Sequence, residues 1–292
     1  MSDTQYPVSV ALETRARLGE GPLWDDLTQT LYWVDIYNYR VHQLFPDRGA
    51  LRTFDVGETV ACLAVVGPEK LLVGLRHHLA YLDTTSGAIE RLVAVEEEKP
   101  RNRLNDGKCD PQGRFWVGTT SREEGEAALY RYDPDGSLHV MERGLTISNG
   151  LGWSPDGKTF YLTDSPEKTI YAYDFDGESG KISNRRVFVE LKDADSVPDG
   201  LAVDVEGHVW SAQWDGWCLI RFAPDGHEVQ RIPVPVKRPT SCVFGGTERR
   251  QLYVTSASID MGEEEIEANI CAGDLFQLDP GVEGLPVQRF GG

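Results

Sequence analysis

The chain has 292 residues, 40% of them hydrophobic, enough to bury a large core. Acidic residues outnumber basic ones 47 to 29, a formal net charge of −18, and this excludes nucleic acid as a partner because phosphate binding needs clustered Lys and Arg. No charge-free apolar run is long enough to span a bilayer, and the opening MSDTQYPVSVALETRARLGEGP lacks a basic start, an apolar core and a small-residue cleavage site, so a cytoplasmic protein with no membrane partner is expected.

The first element is a short strand over residues 8–13, VSVALE. After it, similar strand cores recur: LYWVD at 31–35, LLVG at 71–74, FWVG at 115–118, FYLTD at 160–164, VWSA at 209–212 and LYVT at 252–255. Taking Tyr32, Leu72, Trp116, Tyr161, Trp210 and Tyr253 as equivalent, the steps are 40, 44, 45, 49 and 43 residues, the period of a four-stranded propeller blade. Within each repeat a short apolar strand such as LGWS or LAVD leads through SPDG, DPQG or DVEG into the aromatic strand. A third strand and another Asp-Gly turn follow. GH and WD dipeptides occur without blade spacing, so the WD40 variant is set aside.

Helical periodicity is confined to Glu263–Ala268, inside an acidic segment, SIDMGEEEIEANICAG, expected to form a rim loop or lid. The predicted fold is therefore all-β: a six-bladed β-propeller of four-stranded antiparallel blades around a central channel, formed as one domain over residues 1–292. The 8–13 strand is expected to pair with strands after Gly273 and close the last blade, which removes an open sheet edge. No coiled coil or free edge points to an oligomer, and a monomer is expected.

Five scattered cysteines without a CxxC pair fit neither a disulfide framework nor a thiolate metal site; buried thiols are the expectation. Six histidines include the pair His77–His78 but no HExxH or HxH pattern, and Ser148 and Ser241 lack a GxSxG elbow. Histidine-held metal and serine nucleophile chemistry are both disfavoured.

Immediately ahead of the first strand of each repeat stand Glu20, Val60, Asp106, Asn149, Asp199 and the pair Thr240–Ser241. In a propeller the innermost strands line the channel, so equivalent positions converge near the axis at one rim. Taken singly, Asp-Gly or Asn-Gly is an ordinary turn. As a set they are something else, because Glu has little turn preference and the outer turns do not carry the pattern. Like charges gathered at an axis raise one another's pKa unless a cation lies between them. Carboxylate and amide oxygens are hard ligands suited to Ca²⁺, Mg²⁺ or Mn²⁺, and an open site also accepts Zn²⁺. The segment DFDGESG at 174–180 resembles the start of a calcium loop but lacks the later bidentate Glu, so a hairpin turn is expected there.

The segments LGEGPLW (18–24), NRLNDGKCDPQGRFWVGT (102–119), ISNGLGWS (147–154), ISNRRVF (182–188), VPDGLAVDVEGHVW (197–210) and TSCVFGG (240–246) resemble the regucalcin and gluconolactonase family, also called senescence marker protein, over essentially the whole chain. The resemblance implies one divalent cation held by Glu20, Asn149 and Asp199. Asp199 is expected to serve both as ligand and as the catalytic base that orients or deprotonates the attacking water, with metal-bound hydroxide as the physical alternative. It implies lactonase activity on sugar acid lactones, with Arg103, Asn105 and Glu123 contacting substrate. Asp106 stands close enough to support a second or alternative cation. Thr120 occupies a position where many family members have Met, which loosens the alignment toward Glu123.

On this reading a small sugar lactone is the partner, three protein ligands leave positions for water and substrate, and the cation polarises the lactone carbonyl. A promiscuous esterase or organophosphate hydrolase, a calcium-binding regulator without a dedicated substrate, and an interaction propeller are the alternatives. Trp116 and Trp210 are expected to fill blade interiors, whereas Trp214 and Trp217 in QWDGWC are better placed to reach a site.

Overall fold

Apolar residues alternating through short segments, separated by Asp- and Gly-rich turns, build six four-stranded antiparallel sheets. The computed structural model describes residues 7–192 and 194–292. Five of the sheets run outward in chain order and the sixth takes its outer strand from the start of the chain; the six innermost strands are Gly19–Asp25, Val60–Gly67, Arg103–Cys109, Ser148–Trp153, Val197–Val203 and Pro239–Gly245. The chain is thus a six-bladed β-propeller, with the aromatic repeats on the second strand of every blade. Glu263–Ala268 is the one α-helix among the described residues. None of those residues form a helix long and apolar enough to cross a membrane.

The sixth blade is completed from the other end of the chain. Ser9–Leu12 pairs antiparallel with Leu275–Leu278 and forms the outer strand of that sheet. Asp274 accepts the backbone N–H groups of Thr14 (3.0 Å) and Arg15 (3.1 Å), and the Ala16 N–H reaches the Gly273 carbonyl at 2.9 Å. Deleting residues 1–14 strips this pairing and bares the edge of Leu275–Leu278. Thermal melts are expected to drop by roughly 5–10 °C, about 2–3 kcal/mol. An unchanged melt contradicts this role.

Packing between blades is aromatic. Trp116 and Trp210 are fully buried, and Trp116 meets Trp153 edge-on at 5.9 Å and Phe160 at 5.1 Å. A buried indole N–H favours an acceptor, and for two of them a turn aspartate supplies it: Trp116 Nε1 donates to Asp110 (3.0 Å) and Trp210 Nε1 to Asp204 (2.9 Å). The same carboxylates bind Arg114 and Arg221, so the DPQG and DVEG turns also anchor the blade interior.

DFDGESG closes a hairpin between Thr169–Asp176 and Lys181–Glu190. Its carbonyls are taken by arginines of the neighbouring blade: Arg114 donates to Gly177 and Glu178, and Arg131 to Ser179 and Gly180. The four cysteines Cys62, Cys109, Cys218 and Cys242 are buried, whereas Cys271 is only partly so.

At the far end of the channel, Leu285–Gln288 lines a cavity of about 260 Å³ together with Leu23, Leu63 and Val243. The tail is tied across it by Leu285 N–H to the Val203 carbonyl (3.4 Å) and Phe290 N–H to the Val65 carbonyl (2.8 Å). The tail thus borders a cavity whose wall also includes Asp106 and Lys108.

Candidate metal and catalytic centre

The oxygen donors do not precede the inner strands, as their sequence suggests; they lie within them. Every inner strand breaks register at this point, between Glu20 and Leu23, Val60 and Cys62, Leu104 and Gly107, Asn149 and Leu151, Pro198 and Leu201, and Pro239 and Ser241. A bulge gives a strand one extra unpaired residue and re-aims its side chain. Turn chemistry is therefore not what selects these residues.

Nor are the following glycines turn formers. A Cβ on Gly150 meets the Asp199 carbonyl at 2.5 Å and the Leu201 nitrogen at 2.7 Å, and one on Gly107 meets Cys62 Sγ at 2.9 Å. On Gly200 it collides with Ser241. Each of these glycines lets an inner strand press against the next blade, and that close approach draws the donors together at the axis.

Glu20, Asp106, Asn149 and Asp199 are each at most 9% exposed. Asn149 is oriented by its neighbours: its Nδ2 donates to Ser165 Oγ (3.0 Å), and that hydroxyl donates to the Pro198 carbonyl (2.7 Å). Its Oδ1 is left as the acceptor, facing Asn105 Nδ2 at 3.2 Å. Asn105 also donates to the Ser148 carbonyl (2.9 Å) and accepts from Arg103 Nη1 (2.7 Å). The Arg103 guanidinium lies 5.6 Å from the Tyr37 ring centroid.

Burial pushes the Glu20 carboxyl well above its usual range, and the Asp199 and Asp106 charges add to the effect. Asp199 is likewise raised, first by burial and then by Asp106, with Asn149 and Arg103 pulling the other way. Burial raises Asp106 too, while Lys108 opposes the shift. The three carboxylates thus stand in each other's field with too little positive charge to balance them. Asp199 Oδ1, moreover, is buried with no hydrogen-bond partner among the described residues, an expensive state for a carboxylate oxygen. A divalent cation satisfies both conditions, and the donor set of Glu20, Asn149 and Asp199 with Asp106 beside it fits one of hard character.

Of the six residues expected at the site and the possible seventh, Glu20, Arg103, Asn105, Asp106, Asn149 and Asp199 belong to this constellation. Glu123 lies on an exposed loop, its half-exposed carboxylate paired with Arg101, which lines the same cavity as Arg103. Trp214 sits beneath the Arg238 guanidinium (4.9 Å), and Trp217 is 43% exposed. Lys108, in the same NRLNDGK motif, is partly buried, donates to the Leu201 carbonyl at 2.8 Å and supplies a counter-charge to Asp106.

A second acidic group, Asp204, Glu206 and His208, brings ligand-type atoms within 4.8 Å of one another. Its centre is already filled by Arg221, whose Nη2 donates to Asp204 (2.6 Å) and Glu206 (2.7 Å). It acts as an ion-pair anchor for blade five.

Comparison with known proteins gives a consistent result. A family model described as the SMP-30/Gluconolactonase/LRE-like region matches residues 18–258. The chain is 38% identical to an L-arabinolactonase of Azospirillum brasilense, covering 96% of this chain and 94% of that one. It is 36% identical to a pentonolactonase of Haloferax volcanii, covering 97% of both. The crystal structure of a calcium-binding protein, regucalcin, from Agrobacterium tumefaciens superposes with a TM-score of 0.94 at 29% identity, covering 98% of both chains.

Proposed function

Since the chain belongs to the SMP-30/gluconolactonase/LRE-like family, we propose that it hydrolyses sugar acid lactones to aldonic acids and depends on a divalent cation held by Glu20, Asn149 and Asp199. The observation that carries the cation is the unpartnered, buried Asp199 Oδ1 beside two further carboxylates. The lactonase names of similar chains support the substrate class.

In the reaction, water adds to the lactone carbonyl carbon, the ring C–O bond breaks, the ring oxygen leaves as a hydroxyl, and the carboxylic acid so formed releases its proton to solvent to become a carboxylate. When bound, the cation supplies Lewis acidity to the carbonyl oxygen. Arg103 and Asn105 donate to the sugar hydroxyls and hold the ring with its carbonyl toward the donors. Asp199 accepts a proton from the attacking water; burial and the Asp106 charge raise its carboxyl when no cation is bound, and contact with a cation opposes that shift. The same carboxylate then returns the proton to the departing ring oxygen.

The test is hydrolysis of glucono-1,5-lactone and xylono-1,4-lactone, followed as proton release, by chelator-stripped protein titrated with Ca²⁺, Mg²⁺, Mn²⁺ or Zn²⁺. Stripped protein is expected to match the solvent background, and at least one ion to restore turnover. Full activity without added ion refutes the cation dependence. Cation binding without opening of either ring favours the calcium-binding regulator.

A further inference from the structure

Acidic residues outnumber basic ones in this chain 47 to 29, so a concave surface of the opposite sign needs a reason. One such surface lies beside the catalytic centre. A cavity of about 380 Å³ is lined by Arg76, Arg101, Arg103 and Arg122 together with Thr59 and Ser121, and no Asp or Glu lines it. Arg103 belongs to both places, since its guanidinium faces Asn105 in the donor constellation.

The bland explanation is four solvated surface arginines that happen to be neighbours. Three observations oppose it. First, only Arg101 is ion-paired, to Glu123; Arg76, Arg103 and Arg122 form no ion pair among the described residues. Arg76 spends its Nη2 on the neutral Pro100 carbonyl (2.8 Å), and Arg103 donates to the Leu104 carbonyl (2.9 Å) and the Asn105 amide oxygen. The nearby carboxylate of Glu58 accepts from the Arg76 backbone N–H and pairs with Arg91 instead.

Second, like charges held around one concavity repel one another, and an anion between them removes that cost; of the four arginines, Arg103 is also in the field of the Glu20 and Asp199 carboxylates. Third, Thr59 is 8% exposed and its hydroxyl has no partner among the described residues. That leaves a spare buried donor in the wall of an arginine-lined cavity. Guanidinium forks match the paired oxygens of phosphate, sulfonate and carboxylate groups better than any other side chain.

We propose that this cavity is an anion subsite, and that the preferred lactone carries an oxyanionic substituent on the end of its carbon chain remote from the ring carbonyl. The inference rests on the lactonase reading above. Arg76 and Arg122 are the specificity residues: Arg103 is shared with the centre, and Arg101 is occupied by Glu123.

Two experiments separate the inference from its premise. In the first, the cation-loaded protein is assayed with glucono-1,5-lactone and with 6-phosphoglucono-1,5-lactone. The phosphorylated substrate is expected to show a kcat/KM roughly 10–100-fold higher, through KM, as for charge-assisted hydrogen bonds from two arginines. R76A/R122A is expected to erase that preference while leaving glucono-1,5-lactone turnover unchanged. Equal kcat/KM for the two lactones in the wild type, or a preference that survives in R76A/R122A, overturns the proposal.

The second experiment needs no catalysis. Calorimetric titration with 6-phosphogluconate, glucarate and gluconate is expected to give tighter binding of the first two, with the difference lost in R76A/R122A. If 6-phosphogluconate alone gains, the subsite takes phosphate-type groups; if both gain, it takes carboxylates as well. Equal binding of all three overturns the subsite. Failure of the wild type to open either lactone, with selective 6-phosphogluconate binding intact, refutes the lactonase premise and leaves the subsite standing.

Discussion

Asp199→Asn is expected to lower kcat for lactone opening by about 10²–10⁴-fold, the range for loss of a positioned general base, while the chain stays folded. The substitution keeps the shape of the side chain and removes its charge. Asp199 stands in the field of Asp106, and its own charge raises the Glu20 carboxyl. In the absence of cation its carboxylate therefore works against folding. Cation-free Asp199→Asn should melt at or above the cation-free wild type.

With cation the order reverses. A ligand that binds only the native state contributes about 2.7 kcal/mol at a hundred times its dissociation constant, and the variant, lacking a ligand oxygen, should gain much less. Melts with and without Ca²⁺, beside initial rates, read both effects. Activity within tenfold of wild type removes Asp199 from the chemistry. A variant melt far below the cation-free wild type means that the carboxylate supports the fold rather than a cation.

The second large effect is expected at a residue without a side chain. Gly150→Ala places a methyl group 2.5 Å from the Asp199 carbonyl and 2.7 Å from the Leu201 nitrogen. Both are backbone atoms of the next inner strand, so no rotamer change relieves the clash. Overpacking of this kind costs about 1–3 kcal/mol, and the displaced strand is the one that carries Asp199. Urea denaturation should show that loss, and kcat/KM should fall by about 10²-fold, as when a reacting group is misplaced by about 1 Å.

Gly67→Ala is the control. Gly67 ends the inner strand of blade two, and a Cβ there meets nothing within 4 Å. It should stay within about 0.5 kcal/mol of wild type, as surface substitutions do. Wild-type stability and activity in Gly150→Ala would refute the account of how the donors are brought together.

Most of this architecture is written locally. The recurrence of aromatic strand cores and Asp-Gly turns sets strand length, turn position and blade number, because side-chain alternation and turn dihedrals are properties of a few adjacent residues. The oxygen donors were legible for the same reason: Glu20, Asp106, Asn149 and Asp199 occupy one repeat position, and repeat symmetry carries that position to the axis.

Tertiary structure alone decided the rest. That the donors sit on bulges inside the strands, rather than in turns ahead of them, depends on pairing with the second strand of each blade. That Gly150 and Gly200 are spacers depends on a neighbouring blade more than forty residues away in sequence for each pair Gly150–Asp199 and Gly200–Ser241. That Glu123 pairs with Arg101, a residue of the cavity that Arg103 also lines, is likewise a contact between separate loops. The arginine cavity has no sequence signature, because Arg76 follows the second strand of blade two and Arg122 the second strand of blade three. A sequence read along its length registers charge as a sum, here −18; only the packing of adjacent blades gathers three unpaired cations into one concavity, because electrostatic neighbours are set by distance through space.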